Sequence, residues 1–267
     1  MTGEFSSTWL TLREPADAAA RARDLVEALR LPAGGGLVIR DLGCGTGSMG
    51  RWLAPLLPGP QRWVLQDRDP ALLAHAAANL PAAAADGTAV TVQTAEGDVT
   101  DLTVTDLADT SLVTCSALLD LFTTDEVAAL AEVCVASDTP ALFTLSVVGE
   151  VTLEPADPLD AEVADAFNAH QRRAVGDRRL LGPEAVGAAA EAFARAGVSV
   201  SVRPSPWSLG PEQGALAAEW LRGWVGAAAD QRPDLHLDEY LAARTGAAEA
   251  GRLRVTVGHQ DLLAQKD

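Results

Sequence analysis

Residues 36–51, GLVIRDLGCGTGSMGR, decide the fold of this chain. An apolar run at 37–39 leads to Asp41 and then to closely spaced glycines, Gly43, Gly45 and Gly47. A short run that stops at a glycine cluster is typical of a buried strand feeding a tight turn, because glycine adopts positive φ and lets a ligand approach the backbone. After residue 48 apolar residues recur at helical spacing. The stretch therefore predicts a strand, a glycine turn and a helix N-terminus, a nucleotide-type binding element.

The length and composition suit one elaborated α/β domain over 1–267. Of the 267 residues 48% are apolar, which is enough for a core. Apolar runs rich in Val, Leu and Thr recur at intervals of about 20 to 30 residues, as a series of βαβ units requires. We expect an α/β, doubly wound, Rossmann-like fold: a seven-stranded, mostly parallel sheet with helices on both faces and helical lid insertions.

The same patterns divide the domain into segments. These are an N-terminal arm and helix (1–30), a cofactor-binding core (31–148) and two helical lid or substrate insertions (149–182 and 204–250). Within the first segment we expect a flexible arm over 1–12 and a helix over 13–30. After the first strand, further strands are predicted at 63–66, 89–93, 112–115, 140–148, 198–202 and 253–257.

The charge of the chain limits its partners. Its formal net charge is −17, from 37 acidic residues against 20 Lys and Arg. Such a field repels phosphate backbones and anionic lipid, so we expect no nucleic-acid and no membrane partner. The densest basic cluster, Arg172, Arg173, Arg178 and Arg179, is interpreted as a solvated helix end. We expect a monomer or a homodimer that acts on a small molecule.

The cysteines and the N-terminus indicate a cytoplasmic protein without a metal site. Cys44, Cys115 and Cys134 show neither CxxC nor Cys/His metal spacing, so we interpret them as buried thiols of a reducing compartment. The first residues, MTGEFSSTWL, lack the basic and apolar regions of a signal peptide. No stretch of 18 residues stays apolar and uncharged.

Two acids narrow the choice of nucleotide. Asp67 ends the predicted second strand, 20 residues after Gly47, which is the separation at which a βαβ unit meets a ribose diol. Gly45, Gly47 and Gly50 also match GxGxxG, so an NAD-linked oxidoreductase is an alternative. Asp41, two places before the first glycine, is poorly placed for a pyrophosphate and well placed for a cationic ligand.

At these residues the chain resembles the class I S-adenosylmethionine-dependent methyltransferases of small-molecule type. The resemblance rests on DLGCGTG, on Asp67 in VLQDRDP, on Asp98 in EGDV and on SALLDLF, and it covers roughly 13–148, with a weaker fit for the last two strands. It implies S-adenosylmethionine as cofactor and S-adenosylhomocysteine as product. Four motifs in order are more specific than the glycines alone.

The resemblance also implies a cofactor role for individual residues. Asp67, beside Arg68, would accept hydrogen bonds from both ribose hydroxyls, and Asp98, beside Val99, from the adenine amino group. Asp98 also suits an ordinary helix cap. The resemblance also implies that Asp41 holds the methionine ammonium and that Arg13 pairs with the methionine carboxylate. The backbone of the glycine turn, with Cys44, would approach the cofactor closely. Main-chain groups of Ser116, Ala117 and Leu118 would line its methionyl end. Arg13 is equally typical of a solvated arginine at a helix start.

Methyl transfer needs mainly alignment, because the sulfonium already activates the methyl group. A base is required only if the acceptor loses a proton. We take His170, in the predicted lid, as the first candidate and Asp120 as the second, although both residues also suit structural roles. Trp220 and Trp224, four residues apart, favour core packing over an aromatic box. The accepting atom, O, N or C, stays open, and a non-catalytic cofactor-binding sensor or accessory protein is a further alternative.

Overall fold

The computed structural model describes residues 6–32 and 35–267. Its strands, in chain order, are β1 (Leu37–Leu42), β2 (Gln61–Asp67), β3 (Val90–Glu96), β4 (Leu112–Ser116), β5 (Ala141–Glu154), β6 (Ala174–Val175), β7 (Arg178–Arg179), β8 (Ser199–Pro204), β9 (Trp207–Leu209) and β10 (Arg254–Gln265). Its α-helices are α1 (Ser7–Ala20), α2 (Arg23–Glu27), α3 (Ser48–Leu53), α4 (Pro70–Asn79), α5 (Thr124–Ala136), α6 (Asp160–Gln171), α7 (Ala185–Arg195), α8 (Gly214–Gln231) and α9 (Asp238–Glu249).

The central sheet has the strand order β3-β2-β1-β4-β5-β10-β8. The first five of these strands are parallel, and β10 runs antiparallel to both β5 and β8. The strand order reverses between β1 and β4, which is where doubly wound sheets bind their ligands. The predicted mostly parallel, doubly wound sheet is confirmed, and the short β9 pairs with β10 as an additional strand.

Helices cover both faces of the sheet, as predicted. On one face, Val127 of α5 and Phe193 of α7 pack against Phe143 of β5. On the other face, apolar side chains of α2, α3 and α4 pack against β1 and β2, with Trp63 fully buried at the centre. A third apolar cluster joins α6, α8 and α9 to β9 and to the ends of β5 and β10. This helical layer falls within the two predicted insertions, 149–182 and 204–250.

The N-terminal segment differs from its prediction. Residues 7–12 belong to α1 and are not an arm, because the Ser6 side chain caps the helix by accepting from Trp9 N. Residues 1–5 of the predicted arm lie outside the described residues. The predicted helix over 13–30 is interrupted: Arg21 has φ −55° and ψ 135°, so α1 ends before it and the shorter α2 follows. The break turns Arg21 toward the sheet, with consequences for the site.

The two insertions are also shorter and more regular than predicted. Strand β5 continues to Glu154 into the predicted first insertion, and β10 extends to Gln265, because these two long strands pair along most of their length. The second insertion contains an 18-residue helix, α8, which buries Leu221 and Trp224. Among residues 6–32 and 35–267, no helix combines the length and apolarity needed to cross a membrane.

Candidate cofactor site

The turn after β1 has the predicted backbone. Gly43, Gly45 and Gly47 have φ of 60°, 53° and 86°, a region that other residues rarely adopt. A Cβ atom on Gly47 would lie 3.0 Å from that of Ala76 on α4. Cys44, between the glycines, is buried and donates its N–H to the carbonyl of Gln66 over 2.9 Å. Burial also raises the pKa of the Cys44 thiol, so the residue serves packing in this turn.

The Asp67 carboxylate meets this turn at the end of β2. Its Oδ2 accepts the N–H of Gly45 over 2.9 Å, and its Oδ1 accepts the N–H of Asp69 over 3.0 Å. The predicted acid therefore lies at the glycine turn, although each of its carboxylate oxygens already accepts a backbone N–H. Arg68 is exposed and lies 3.9 Å from a carboxylate oxygen of Asp98.

Asp98 follows β3 and acts as a cap in the structure. Its Oδ1 accepts the N–H of Thr100 over 2.9 Å and the Thr100 hydroxyl over 2.8 Å, which starts a short 3-10 turn. These bonds lower the pKa of the Asp98 carboxyl, although partial burial opposes them. Val99 packs against the apolar core next to it. The carbonyl of Asp98 accepts from the Gln66 side chain over 3.1 Å, which ties this segment to the end of β2.

Asp41 is a buried carboxylate with one satisfied oxygen. It is 1% exposed, and its Oδ1 accepts the Thr114 hydroxyl over 2.7 Å. Its Oδ2 is buried and has no hydrogen-bond partner in the described part of the chain. Burial raises the pKa of Asp41 to about 7, against the Thr114 hydrogen bond and the nearby Arg21 charge, which lower it.

Arg21 is the site residue that the sequence analysis missed. It is 3% exposed, and its Nη2 donates to the hydroxyls of Ser48 over 3.2 Å and Ser116 over 3.0 Å. Its Nη1 is buried, and residues 6–32 and 35–267 give it no hydrogen-bond partner. The guanidinium carbon lies 5.3 Å from the centre of the Trp52 ring. The sequence predicted a continuous helix over 13–30, and such a helix gave no reason to select Arg21. The break after α1 places the Arg21 side chain at the glycine turn.

Arg13, the residue predicted for the methionine carboxylate, is committed elsewhere. Its Nε lies 2.9 Å from Oδ2 of Asp17, one turn along α1. Its guanidinium carbon lies 5.0 Å from the ring centre of Trp207, whose Nε1 donates to Oδ1 of Asp17 over 3.0 Å. The solvated alternative is wrong as well, because the Arg13 side chain is only 13% exposed. Whether Arg13 contacts the methionine carboxylate stays a prediction, and Arg21 is the arginine that lies at the glycine turn.

The segment after β4 closes the other side of the turn. Ala117 has φ of 52°, which is rare for a residue with a side chain, and donates its N–H to the carbonyl of Thr144 over 2.9 Å. A Cβ atom on Gly43 would lie 2.5 Å from Cδ2 of Leu118. Ser116, Ala117 and Leu118 thus lie beside the glycine turn, as the sequence predicted.

A large cavity among the described residues lies elsewhere. It measures about 860 Å³ and opens beside Leu37 and Pro60, at the amino ends of β1 and β2. None of the predicted site residues line it. Parallel sheets bind ligands at their carboxyl ends, so the glycine-turn edge remains the candidate site.

Comparison with known proteins agrees with this geometry. Residues 39–136 match the family model described as a methyltransferase domain. A cyclopropane-fatty-acyl-phospholipid synthase-like protein from Lactobacillus casei aligns with a TM-score of 0.55 and 15% identity, over 98% of this chain and 94% of that one. A cyclopropane synthase from Mycobacterium tuberculosis aligns with a TM-score of 0.50 and 16% identity, over 98% and 95%. At such identities these likenesses show the fold. No curated protein matches the sequence.

The chain has the fold of these two proteins, and its residues 39–136 match a methyltransferase domain. This match lies within the predicted cofactor-binding core, for which the sequence analysis expects S-adenosylmethionine. The residues at the turn fit it: a carboxylate at the end of β2, glycines with positive φ, and two buried groups of opposite charge that each lack one partner among the described residues. Within residues 6–32 and 35–267 no group of three or more His, Cys, Asp or Glu could hold a metal ion.

The two predicted base candidates differ in position. Asp120 lies in the short turn that follows β4, half-buried, close enough to Arg13 and Arg173 for their charges to act on it. Burial raises the pKa of Asp120 to about 6. His170 lies near the end of α6, where burial and the charge of Arg173 lower its pKa. The strand-end position favours Asp120 over His170, the reverse of the sequence ranking.

The remaining polar and aromatic candidates have structural partners. The rings of Trp220 and Trp224 stack at 5.0 Å within α8, and Trp224 is 2% exposed, which confirms the packing interpretation. The basic cluster is not simply solvated. Arg172 pairs with Glu184 over 2.6 Å, and Arg178 pairs with Glu126 over 2.7 Å. Of that cluster, Arg173 is the member whose charge reaches Asp120.

Proposed function

We propose that this chain transfers a methyl group from S-adenosylmethionine to a small-molecule acceptor, at O, N or C, by in-line displacement. The observation that carries the site assignment is the pair of buried, unsatisfied atoms beside the glycine turn, Nη1 of Arg21 and Oδ2 of Asp41, which find no partner in the described residues. The methionyl end of the cofactor bears one carboxylate and one ammonium group. It therefore supplies the two partners that these atoms lack.

The remaining contacts follow from the ends of the parallel strands. Asp67 would accept the ribose hydroxyls, and the glycines would let the backbone approach the adenosyl group. Asp98, which caps its own turn through one oxygen, keeps the other, Oδ2, for the adenine side. When bound, the cofactor supplies a methyl group that its sulfonium has already activated.

Helix α1 would exclude water from this site. A Cβ atom on Gly45 would lie 3.2 Å from Cδ1 of Leu10, so the helix lies directly over the turn. Glu14 fastens it there through an ion pair with Nη2 of Arg51, at 2.6 Å. Exclusion of water strengthens the electrostatic contacts inside the site and prevents side reactions of the activated methyl group.

Asp120 would accept the proton that an O–H or N–H acceptor releases. Its pKa of about 6 leaves it ionised at neutral pH, yet close enough to neutrality to exchange a proton readily. With the cofactor bound, the acceptor lone pair would form the new bond to the methyl carbon, and the C–S electron pair would remain on sulfur. The acceptor proton then moves to a carboxylate oxygen of Asp120.

Calorimetry tests the cofactor site. Wild-type protein is expected to bind S-adenosylhomocysteine with a Kd on the order of micromolar, and Arg21→Met to weaken binding about 10-fold or more, since a charge-assisted hydrogen bond is lost. Arg244→Met removes another buried arginine, in the helical layer far from the turn, and is the matched control. Its affinity should equal that of the wild type. Absence of binding to the wild type would contradict the proposal.

A transfer assay separates the proposal from its alternatives. Incubation with labelled cofactor and a panel of amines, phenols and carboxylic acids should give one methylated class, together with S-adenosylhomocysteine. Tight cofactor binding without transfer to any member would favour the non-catalytic sensor. Binding of NADH, seen as nicotinamide fluorescence, would favour the oxidoreductase, which the buried Asp41 carboxylate disfavours because a pyrophosphate is also negative.

A further inference from the structure

Strand β5 contains a β-bulge opposite one buried acid of β10, Asp261. The pairing of β10 with β5 shifts between Gln260 and Leu262. Two residues of β5, Thr144 and Leu145, consequently lie opposite Asp261 alone, which is the arrangement of a β-bulge. Bulges beside functional sites re-aim side chains, and this one adjoins the segment that carries Ser116.

The Asp261 carboxylate stabilises the backbone of the bulge through a hydrogen bond. Leu145 has φ of 56°, in the left-handed region, and is fully buried. Its N–H donates to the side-chain Oδ1 of Asp261 over 2.7 Å instead of to a backbone carbonyl of β10. A buried N–H without such an acceptor would be costly, so the carboxylate stabilises the unusual backbone.

The second carboxylate oxygen reaches the break between α1 and α2. Oδ2 of Asp261 accepts the N–H of Ala22 over 2.8 Å, and Ala22 directly follows Arg21. The Ser205 hydroxyl also donates to Oδ1, over 2.5 Å. The side chain is fully buried, and its three donors come from three separate parts of the chain.

Both anchored segments touch the same guanidinium. The hydrogen bond from Ala22 fixes the backbone that follows Arg21, and Nε of Arg21 donates to the hydroxyl oxygen of the bulge residue Thr144 over 3.4 Å. Thr144 also donates to Ser116, the acceptor of an Arg21 Nη2 hydrogen bond, over 3.0 Å. Asp261 therefore constrains Arg21 from the backbone side and from the sheet side, and the negative charge of Asp261 favours the guanidinium.

We propose that Asp261 is a positioning residue for the cofactor: it fixes Arg21 so that the free Nη1 faces the carboxylate of the methionyl end. This inference rests on the proposed function. Burial of a carboxylate is unfavourable, and it raises the pKa of Asp261 here. An acid kept in such a place beside an incompletely paired arginine fits a site held for a ligand.

A pair of ligands tests the proposal by calorimetry. S-Adenosylhomocysteine carries the amino-acid end, and methylthioadenosine has the same adenosyl thioether without it. Wild-type protein should prefer S-adenosylhomocysteine. Asp261→Asn should lose about 10-fold or more of its affinity for S-adenosylhomocysteine, since Arg21 is misplaced, and less than about 3-fold for methylthioadenosine. A purely structural role would weaken both ligands equally or neither.

Two further variants sharpen the test. Ser205→Ala removes one donor from the same carboxylate without touching Ala22 or Leu145, and should keep the wild-type preference. Ala22→Pro removes the N–H that Asp261 accepts, while φ −73° at Ala22 and ψ 135° at Arg21 suit proline. It should lose the preference, and it decides the matter if Asp261→Asn does not fold, as judged by circular dichroism.

The outcomes distinguish the two proposals. If the wild type and Arg21→Met behave as expected but folded Asp261→Asn keeps the preference for S-adenosylhomocysteine, the positioning role is overturned and the cofactor site stands. If the wild type itself binds both ligands equally, the zwitterion site of the proposed function fails, and the positioning role fails with it.

Discussion

At the scale of single residues, the site depends on charges that the fold buries incompletely paired. Asp41 and Arg21 are each nearly inaccessible and each keeps one polar atom without a partner in the described chain. Isolated, such atoms cost stability. Their proximity to the glycine turn gives the cost a functional reason, because a zwitterionic ligand would complete both sets of hydrogen bonds.

Asp41→Asn should therefore stabilise the protein without cofactor in a pH-dependent way. The pKa of Asp41 is raised from 3.8 to about 7, so the folded wild type retains a proton that the unfolded chain loses near pH 4. This contribution favours folding at low pH and is lost as the pH rises through about 7. At pH 8 the variant should gain about 1–3 kcal/mol in free energy of unfolding.

Denaturant unfolding at pH 8 and pH 4 checks this expectation. The gain should vanish at pH 4, where Asp41 is neutral in the folded state. The same variant should lose affinity for S-adenosylhomocysteine at pH 8. A stability difference that does not change with pH would contradict the assignment of the raised pKa to Asp41.

Asp120→Asn should change the pH dependence of turnover for an acceptor that loses a proton. In the wild type, kcat should fall below pH about 6, because a protonated Asp120 cannot accept a proton. The variant should lose this limb and about 10²- to 10⁴-fold of kcat. His170→Gln, at the other candidate, should keep the limb. Retention of the limb in Asp120→Asn, measured by steady-state kinetics, would remove Asp120 from the proton transfer.

At the scale of elements, the turn between β1 and α3 is fixed by sterics. Gly47 has φ of 86° and lies so close to Ala76 of α4 that a side chain has no room. Gly87, in the loop before β3, has a similar φ of 81° with nothing within 4 Å of an added Cβ. Both positions would strain the backbone of a substituted residue, but only Gly47 would also bring its side chain into contact with a neighbour.

Substitution of both glycines by alanine measures the two effects. Gly87→Ala should cost about 1–2 kcal/mol of unfolding free energy from the left-handed backbone alone. Gly47→Ala should cost about 2–4 kcal/mol, because α4 must also shift, and should weaken cofactor binding. Thermal and denaturant unfolding provide the comparison. Equal costs at the two positions would show that the contact with Ala76 is unimportant.

At the scale of the whole molecule, charge and layering decide what the protein meets. The net charge is −17, the single lysine is Lys266, and several arginines form ion pairs on the surface. The helical layer of α6, α8 and α9 covers one end of the sheet with its own apolar cluster.

The acidic surface predicts that duplex DNA and RNA do not bind at physiological salt. Association with nucleic acid depends on neutralising phosphates with Lys and Arg. Two arginines of the main basic cluster, Arg172 and Arg178, are already paired with acids. A gel-shift titration should show no complex. A shift that weakens steeply with added salt would contradict the prediction.

The sequence by itself determined the sheet, the glycine turn and the acids at the strand ends. These features follow from local rules: apolar periodicity sets each strand, positive φ requires glycine, and a strand end fixes where Asp41 and Asp67 lie. Asp98 was also found at its strand end, where the structure adds that it caps a turn.

Only the tertiary structure decided which groups complete the site. Arg21 looked like one more helical arginine, because no local pattern marks the break after α1, which depends on an acceptor 239 residues away in Asp261. Arg13 contacts Asp17 and Trp207, and Asp120 lies in the turn after β4, whereas His170 lies near the end of α6. Partner choice among buried charges depends on distance in space, which sequence spacing does not encode.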